Sequence, residues 1–346
     1  MSGNSGDRIR AKALELGFDA VGFARADEPL EADFDRYEAF LDAGMHGEMQ
    51  WLADAREARR RLDRPTIQEG AKTIICVAKR YQRSEADEGV AAHLAQYARG
   101  RDYHRSLRRR VRQLAAFVRT FGERARPMMD EEPVLERAWA VRAGLGFIGK
   151  NGLVIIPGMG SMVLLGEVVT TLAIDFEPVA AMGERCGKCT ACIDVCPTKA
   201  IVRPFVVDPR RCVSYLTIES RSPIPVELRA GVGEHLFGCD DCQTVCPFNA
   251  GKGRAERLFE PLPRWRGLTL EDLLSADWME IARGSAVHRA TADGLARNAA
   301  IVLGNRGETP PALVRAAEDH PSAVVREAAK WALNQAVGTP VQQRAK

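Results

Sequence analysis

Residues 186–197 read Cys186-Gly-Lys-Cys189-Thr-Ala-Cys192-Ile-Asp-Val-Cys196-Pro197, and residues 239–247 read Cys239-Asp-Asp-Cys242-Gln-Thr-Val-Cys246-Pro247. Cys212 stands between them. Three thiolates at C-x2-C-x2-C spacing wrap one corner of a cubane cluster, and a fourth just before proline turns away to ligate a second cluster. Crossing the two runs gives one ligand set of Cys186, Cys189, Cys192 and Cys246, and another of Cys239, Cys242, Cys212 and Cys196. The second run lacks the first cysteine of a full motif, and Cys212 supplies the missing ligand. Zinc ribbons also use paired C-x2-C units. The triple spacing and the two Cys-Pro endings favour two [4Fe–4S] clusters over zinc. The ninth cysteine, Cys76, falls in the apolar run Thr73–Ala78 and reads as core.

Around this module the chain is an ordinary globular one, with 46% hydrophobic and 27% charged residues over 346 positions. That balance excludes wholesale disorder and a membrane bundle. The formal net charge is only +3, so nucleic-acid binding must come from local patches. Met1–Asp7 is polar with no apolar stretch after it, so no secretory leader is expected and the cysteines read as metal ligands rather than disulfides. The apolar stretch Gly152–Ile174 imitates a membrane span, but it carries Pro157, Glu167 and four glycines. Two strands joined by a tight turn at Pro157-Gly158-Met159-Gly160 are expected there instead. A bare electron carrier would use only a small part of this length. The remainder points to an enzyme with its own electron relay.

The spacing of apolar residues predicts helices over Asp7–Leu16, Leu30–Ala43, Tyr103–Phe121 and Val134–Ala143, the last with Pro133 in its first turn. Strands are expected over Asp19–Ala24 and Thr73–Ala78. Helices and strands alternate through the first 175 residues, which predicts an α/β or α+β layer. A loop-rich, metal-held module follows, and the chain turns helical again after Gly251-Lys252-Gly253. The expected division is 1–176, 177–252 and 253–346. In the last part, Arg297–Asn305 and Arg326–Asn334 share an Arg, Ala-Ala, Leu-Asn pattern at an offset of 29 residues. This suits a paired-helix repeat, with two ordinary amphipathic helices as the alternative.

Two basic segments stand out, Arg56–Arg64 and Arg101–Arg126. On a helix, Arg105, Arg108, Arg109 and Arg112 form one stripe. It suits phosphates of RNA or of a cofactor, or equally a solvated face. Gly144-x-Gly146-x-x-Gly149-Lys150 imitates a dinucleotide loop, but it follows a helix rather than a strand. The glycines instead allow close backbone approach to a large flat ligand. Asp130 precedes the fourth helix and reads either as a cap or as a general acid in a pocket.

Taken together, these residues resemble the epoxyqueuosine reductase family. The likeness covers nearly the whole chain. It includes Leu16-Gly17-Phe18, His46-Gly47-Glu48-Met49-x-Trp51, Gly100-Arg101-Asp102-Tyr103-His104, Asp130-x-x-Pro133-Val134-Leu135-Glu136-Arg137, Leu165-Gly166-Glu167, Arg211-Cys212-x-Ser214-Tyr215 and Gly238-Cys239-Asp240-Asp241-Cys242-Gln243. The resemblance implies an α+β chain: an α/β cobalamin-binding reductase core, a ferredoxin-like bis-[4Fe–4S] module and α-helical HEAT-like repeats at the C-terminal end. It implies cobalamin, two [4Fe–4S] clusters and a tRNA with a queuosine-type wobble base, whose epoxide is reduced to the alkene in the last step of queuosine synthesis. An external low-potential electron donor and a cytoplasmic enzyme without membrane attachment are expected with it.

Asp130 matches the family's catalytic acid, and burial or a neighbouring carboxylate is expected to raise its pKa. Arg61, Tyr97, Asp130, Lys150, Asn151, Ser161, Ser214 and Tyr215 are the candidate cofactor contacts. Asp102-x-His104 is followed by Leu107 where a lower-ligand motif would carry glycine. That agrees with a corrin bound without a protein histidine, as the family implies. A small-molecule cobalamin reductase and an electron-transfer or RNA-binding protein without catalysis are the competing readings.

Overall fold

The computed structural model describes residues 4–180, 182–251, 255–275 and 278–338. The chain begins with helix Ser5–Glu15, capped by the Asn4 side chain, and strand β1 (Ala20–Arg25). Helix Glu31–Asp42, β2 (Thr73–Arg80), helix Tyr103–Arg119 and β3 (Ala125–Met128) follow. Each predicted helix and strand up to Phe121 is thus present, with ends within two residues of expectation. The fourth helix starts later than expected, at Glu136, and runs to Arg142. Pro133 lies outside it because Val134 N–H closes a turn on Glu132 and Leu135 is not helical.

Beyond this helix come β4 (Phe147–Ile148), β5 (Val154–Ile155) and β6 (Val163–Thr170). The expected hairpin of β5 with β6 does not form. β5 pairs with β4, while β6 enters a sheet of order β1-β2-β6-β3. Both edges of β6 are taken, by β2 and by β3, so no edge is left for β5. The turn at Pro157–Gly160 closes only an Ile156–Gly160 bridge and hands the chain from ribbon to sheet. Every ladder in the sheet is antiparallel, which decides for α+β over a parallel α/β layer.

One face of the sheet packs helix Tyr103–Arg119, which buries Tyr103, Leu107, Val111, Leu114, Ala115 and Val118 at helical spacing against Ile75, Val77 and Val168. The other face packs helix Glu136–Arg142 through Trp139 and Ala140 against Ile74, Cys76 and Ala78. Cys76 is 1% exposed, a core residue as read.

The cysteine-rich region is built of short helices, Ala191–Val195 and Asp241–Thr244, and a small hairpin, β7 (Ile201–Arg203) with β8 (Val206–Val207). A buried polar seam fastens it to the sheet. Gln82 Nε2 donates to Asn249 O at 2.7 Å, Ser161 N donates to Asn249 Oδ1 at 2.7 Å, and Ser161 Oγ donates to Gln243 Oε1 at 3.0 Å. Gly160 has φ +82°, and a Cβ there would collide with the Asn249 amide.

At the far end, helices Thr291–Arg306, Pro311–Asp319 and Ala323–Gly338 pack together. Both segments of the proposed repeat are helical, but their arginines differ. Arg297 is buried and donates to the carbonyls of Leu216, Ser220 and Ser222, while Arg326 donates to those of His320 and Pro321. The expected boundary at Lys252-Gly253 lies outside the described residues. Among the described residues, no helix is long and apolar enough to cross a membrane.

Candidate active site

A cavity of about 1380 Å³ opens where these parts meet. Helix Tyr103–Arg119 supplies one wall, through Tyr103, His104, Arg105, Arg108, Arg109 and Arg112. Cys212, Ser214, Tyr215, Ile218 and Glu219 supply a second wall, beside the cysteine-rich module. His288 and Arg289 come from the helical end, Met49 from the loop after helix Glu31–Asp42, and Trp51 from the short helix Gln50–Ala53 that follows it. That loop is seated by Tyr215, whose hydroxyl accepts Glu48 N–H at 2.8 Å. Gly47, at φ +56°, lies where any Cβ would run into the Tyr215 ring.

Asp130 follows β3 and is held at the cavity wall. Its Oδ2 accepts the Tyr103 hydroxyl at 2.6 Å and faces His104 Nε2 at 3.4 Å. The other imidazole nitrogen, Nδ1, lies 2.7 Å from Asp102 Oδ1, and the same Asp102 oxygen caps the helix by accepting His104 N–H. The imidazole stacks on Tyr103 with ring centroids 4.1 Å apart. An Asp102–His104–Asp130 chain results, with Asp130 Oδ1 buried and without a hydrogen-bond partner among the described residues.

The protonation states follow from these contacts. Burial pushes the Asp130 carboxyl up, but hydrogen bonds from His104 and Tyr103 and the charges of His104 and Arg108 outweigh it, leaving Asp130 below its ordinary pKa. This corrects the expectation of a raised value: the partners of the carboxylate count for more than its burial. Burial lowers His104, yet its hydrogen bonds to Asp102 and Asp130 raise it to about 9. At neutral pH the proton therefore rests on His104. Sequence reading missed this role, although Asp102-x-His104 was the visible signal.

Of the candidate cofactor contacts, Tyr97, Asp130, Ser214 and Tyr215 line the cavity. Ser161 lines a smaller cavity of about 110 Å³ that shares Asp130 and Tyr103 with the large one. Lys150 and Asn151 instead hold the cysteine loops, with Lys150 Nζ donating to Cys189 O at 2.9 Å and Asn151 Nδ2 to Cys242 O at 3.4 Å. Arg61 is tied to Asp63 at 2.8 Å, apart from both cavities.

The two basic segments part company here. In the first, Arg56 pairs with Glu38, Arg60 with Glu31 and Arg61 with Asp63, and Arg59 is buried, so this segment serves the fold. In the second, Arg108 pairs with Glu131, whereas Arg105, Arg109 and Arg112 are exposed along the cavity with no ion pair among the described residues.

The cysteines gather in neighbourhoods of thiols. Cys192 is raised by burial and then by Cys186, Cys246 and Cys189. Cys239 is raised by burial, with Cys212 and Cys242 among its neighbours, and Cys212 by burial with Cys196 beside it. Cys242 is pushed up to about 12 by burial, then by Cys212. Eight soft thiol ligands in two adjoining groups suit two iron–sulfur cubanes. The large cavity reaches Cys212, so a broad planar cofactor seated in it would adjoin the second group.

Comparison with known proteins agrees with this organisation. The family model described as 4Fe-4S double cluster binding domain matches residues 185–249. The one described as Epoxyqueuosine reductase QueG, DUF1730, matches residues 61–131. The chain is 41% identical over 320 residues to an epoxyqueuosine reductase of Gloeobacter violaceus, covering 87% of this chain and 97% of the relative. It is 39% identical to that of Pseudomonas aeruginosa, covering 94% and 92%. Among solved structures, an epoxyqueuosine reductase crystallised with a tRNA-Tyr epoxyqueuosine-modified stem loop superposes with a TM-score of 0.86 at 30% identity, covering 96% of this chain and 90% of that one. The Streptococcus thermophilus enzyme gives a TM-score of 0.82 at 28% identity, covering 97% and 91%.

Proposed function

Because the chain belongs to the epoxyqueuosine reductase family, we propose that it reduces the epoxide of epoxyqueuosine at the tRNA wobble position, completing queuosine in the cytoplasm. The observation that carries this reading is the Asp102–His104–Asp130 chain. It ends in Asp130 at the wall of a cavity along which Arg105, Arg109 and Arg112 are exposed with no ion pair among the described residues.

The overall reaction converts an epoxide, two electrons and two protons into an alkene and water. Cobalamin, when bound in the large cavity, supplies the reducing metal centre for this chemistry, with electrons relayed by the two clusters from an external donor. Tyr97, Ser214 and Tyr215 would line its seat, with Asp130 at the reacting edge. Lys150, Asn151 and Ser161 act through the seam that joins sheet and cluster module, and Arg61, held by Asp63 away from the cavity, is left out of the seat. Tyr103 and His104 orient Asp130. As negative charge builds on the opening epoxide oxygen, the His104 proton passes through Asp130 onto that oxygen.

Arg105, Arg109 and Arg112 suit the phosphates of an anticodon stem loop, and the cavity suits a base turned out of its stack. We further propose the division into a cobalamin-binding core (1–176), a ferredoxin-like module (177–252) and a HEAT-like helical end (253–346) that braces the site through Arg297.

Anaerobic reconstitution with iron, sulfide and cobalamin, followed by incubation with an epoxyqueuosine stem loop and a chemical reductant, tests the proposal. Conversion to the queuosine stem loop, dependent on cobalamin, is the expected result. Full iron loading with no cobalt uptake and no conversion would reduce the protein to an electron carrier.

A further inference from the structure

Behind Asp130 lies a second acidic site that the reading above leaves unused. The cavity of about 110 Å³ is lined by Asp130, Tyr103, Glu136, Arg137 and Ser161 among others. At about 30 Å³ each it has room for several waters. Strand β6 forms its floor through Val163, Leu164 and Leu165, and the next residue on the same face of that strand is Glu167. Glu167 is 0% exposed, sits opposite Cys76 on β2 and Met128 on β3, and has neither carboxyl oxygen hydrogen-bonded among the described residues.

A charged carboxylate is disfavoured in such a place, so the group holds its proton at rest. Burial, then the charges of Glu136 and Asp130, hold Glu167 well above its ordinary pKa. Glu136 is raised to about 7 by burial and by Asp130, with Arg137 opposing. Other titratable groups facing the pair are the buried Cys76 thiol and the Tyr103 hydroxyl, which lines the same cavity as Glu136. The two carboxyls thus hold at least one proton at neutral pH, and Glu136 shares the small cavity with Asp130.

We propose that half-buried Glu136 and buried Glu167 form a proton store that refills Asp130 across this cavity. The inference rests on the functional reading above, because reduction of the epoxide consumes two protons. The first converts the epoxide oxygen to a hydroxyl and comes from His104 through Asp130. The second makes that hydroxyl leave as water and comes from Glu136, which Glu167 replenishes. Neither glutamate touches the substrate, and both act through Asp130.

The test uses the full chain with Glu136→Gln and Glu167→Gln, each isosteric and unable to cycle a proton. Infrared spectra of the unloaded protein at pH 7 in light and heavy water read the store directly. A protonated-carboxyl band that shifts in heavy water and disappears in Glu167→Gln is expected. Single turnover of the loaded enzyme on the stem loop is expected to slow about tenfold in either variant, with unchanged stem-loop affinity and an altered pH profile. A wild-type protein lacking the band, or variants with the wild-type rate and pH profile, would overturn the store while leaving the reductase reading intact. A loaded wild-type enzyme that leaves the epoxide untouched would overturn the reductase reading itself, and the proposed role with it.

Discussion

His104 Nε2 lies 3.4 Å from Asp130 Oδ2, and Asp102 holds the opposite ring nitrogen at 2.7 Å. An imidazolium set between two carboxylates is a proton source already aimed, because the acids that raise its pKa also fix its ring. Asp130 need not be protonated at rest to act as an acid. It has only to pass on the proton that His104 keeps.

Asp130→Asn should therefore keep the fold and both clusters while lowering turnover by a factor of about 10² or more. Single-turnover assays, paired with iron and cobalt analysis of the same preparation, check this. Full activity would remove Asp130 from the mechanism.

The pH profile follows from His104, raised to about 9 against an ordinary 6.5. Its acid form is the useful one, so the rate should hold through neutral pH and fall as pH rises through about 9. The stability it contributes has the same sign: fully present below about 6.5 and lost as pH climbs through about 9. In His104→Gln this alkaline limb should vanish from both the rate and the melting profile.

Arg105→Ala with Arg109→Ala should weaken stem-loop binding and reduce the slope of log K against log salt by about two. Both side chains are exposed at the cavity without an ion pair among the described residues, so the fold should be unaffected. Titration at several salt concentrations decides it, since a solvated face would leave the slope where it was.

Cys212→Ser should remove one cluster and spare the other, leaving about half of the iron. The thiol adjoins the group of Cys196, Cys239 and Cys242, not that of Cys186. Iron analysis after anaerobic reconstitution reads the outcome, and full retention would exclude Cys212 as a ligand.

Glu256 ties the helical end to the sheet, accepting Lys79 at 2.7 Å and Arg110 at 2.6 Å. Burial raises its carboxyl, but these two cations bring it down to about 2. Its stabilising effect is present above the ordinary carboxylate range and is lost as pH falls through about 2. Glu256→Gln should cost about 1–2 kcal/mol at neutral pH after allowance for solvent screening, with the gap in Tm closing as the medium is acidified.

Local spacing carried much of this organisation. The two cysteine runs, the apolar stripe from Tyr103 to Val118 and the β-branched run at Thr73–Ala78 are periodic features a few residues long. Backbone geometry turns such features directly into ligand sets, helix faces and strands. What the chain could not declare locally were its partners across long separations. The neighbours of β6 depended on which strand edges were already filled, and that moved β6 out of the expected hairpin into the middle of the sheet. Lys150 and Asn151 belong to the cluster seam because the module docks there, some forty to ninety residues further along the chain. The charge state of Asp130 was decided the same way. A lone carboxyl before a helix gives no sign of whether burial or hydrogen bonding will prevail, and only the packing of Tyr103 and His104 against it settled that balance toward the ionised form. Sequence alone determined most of the helices and strands and pointed to the proposed ligands, because these rest on contacts within a few residues. Tertiary structure decided where the proton resides, because a pKa is set by every group that folding brings within a few ångströms.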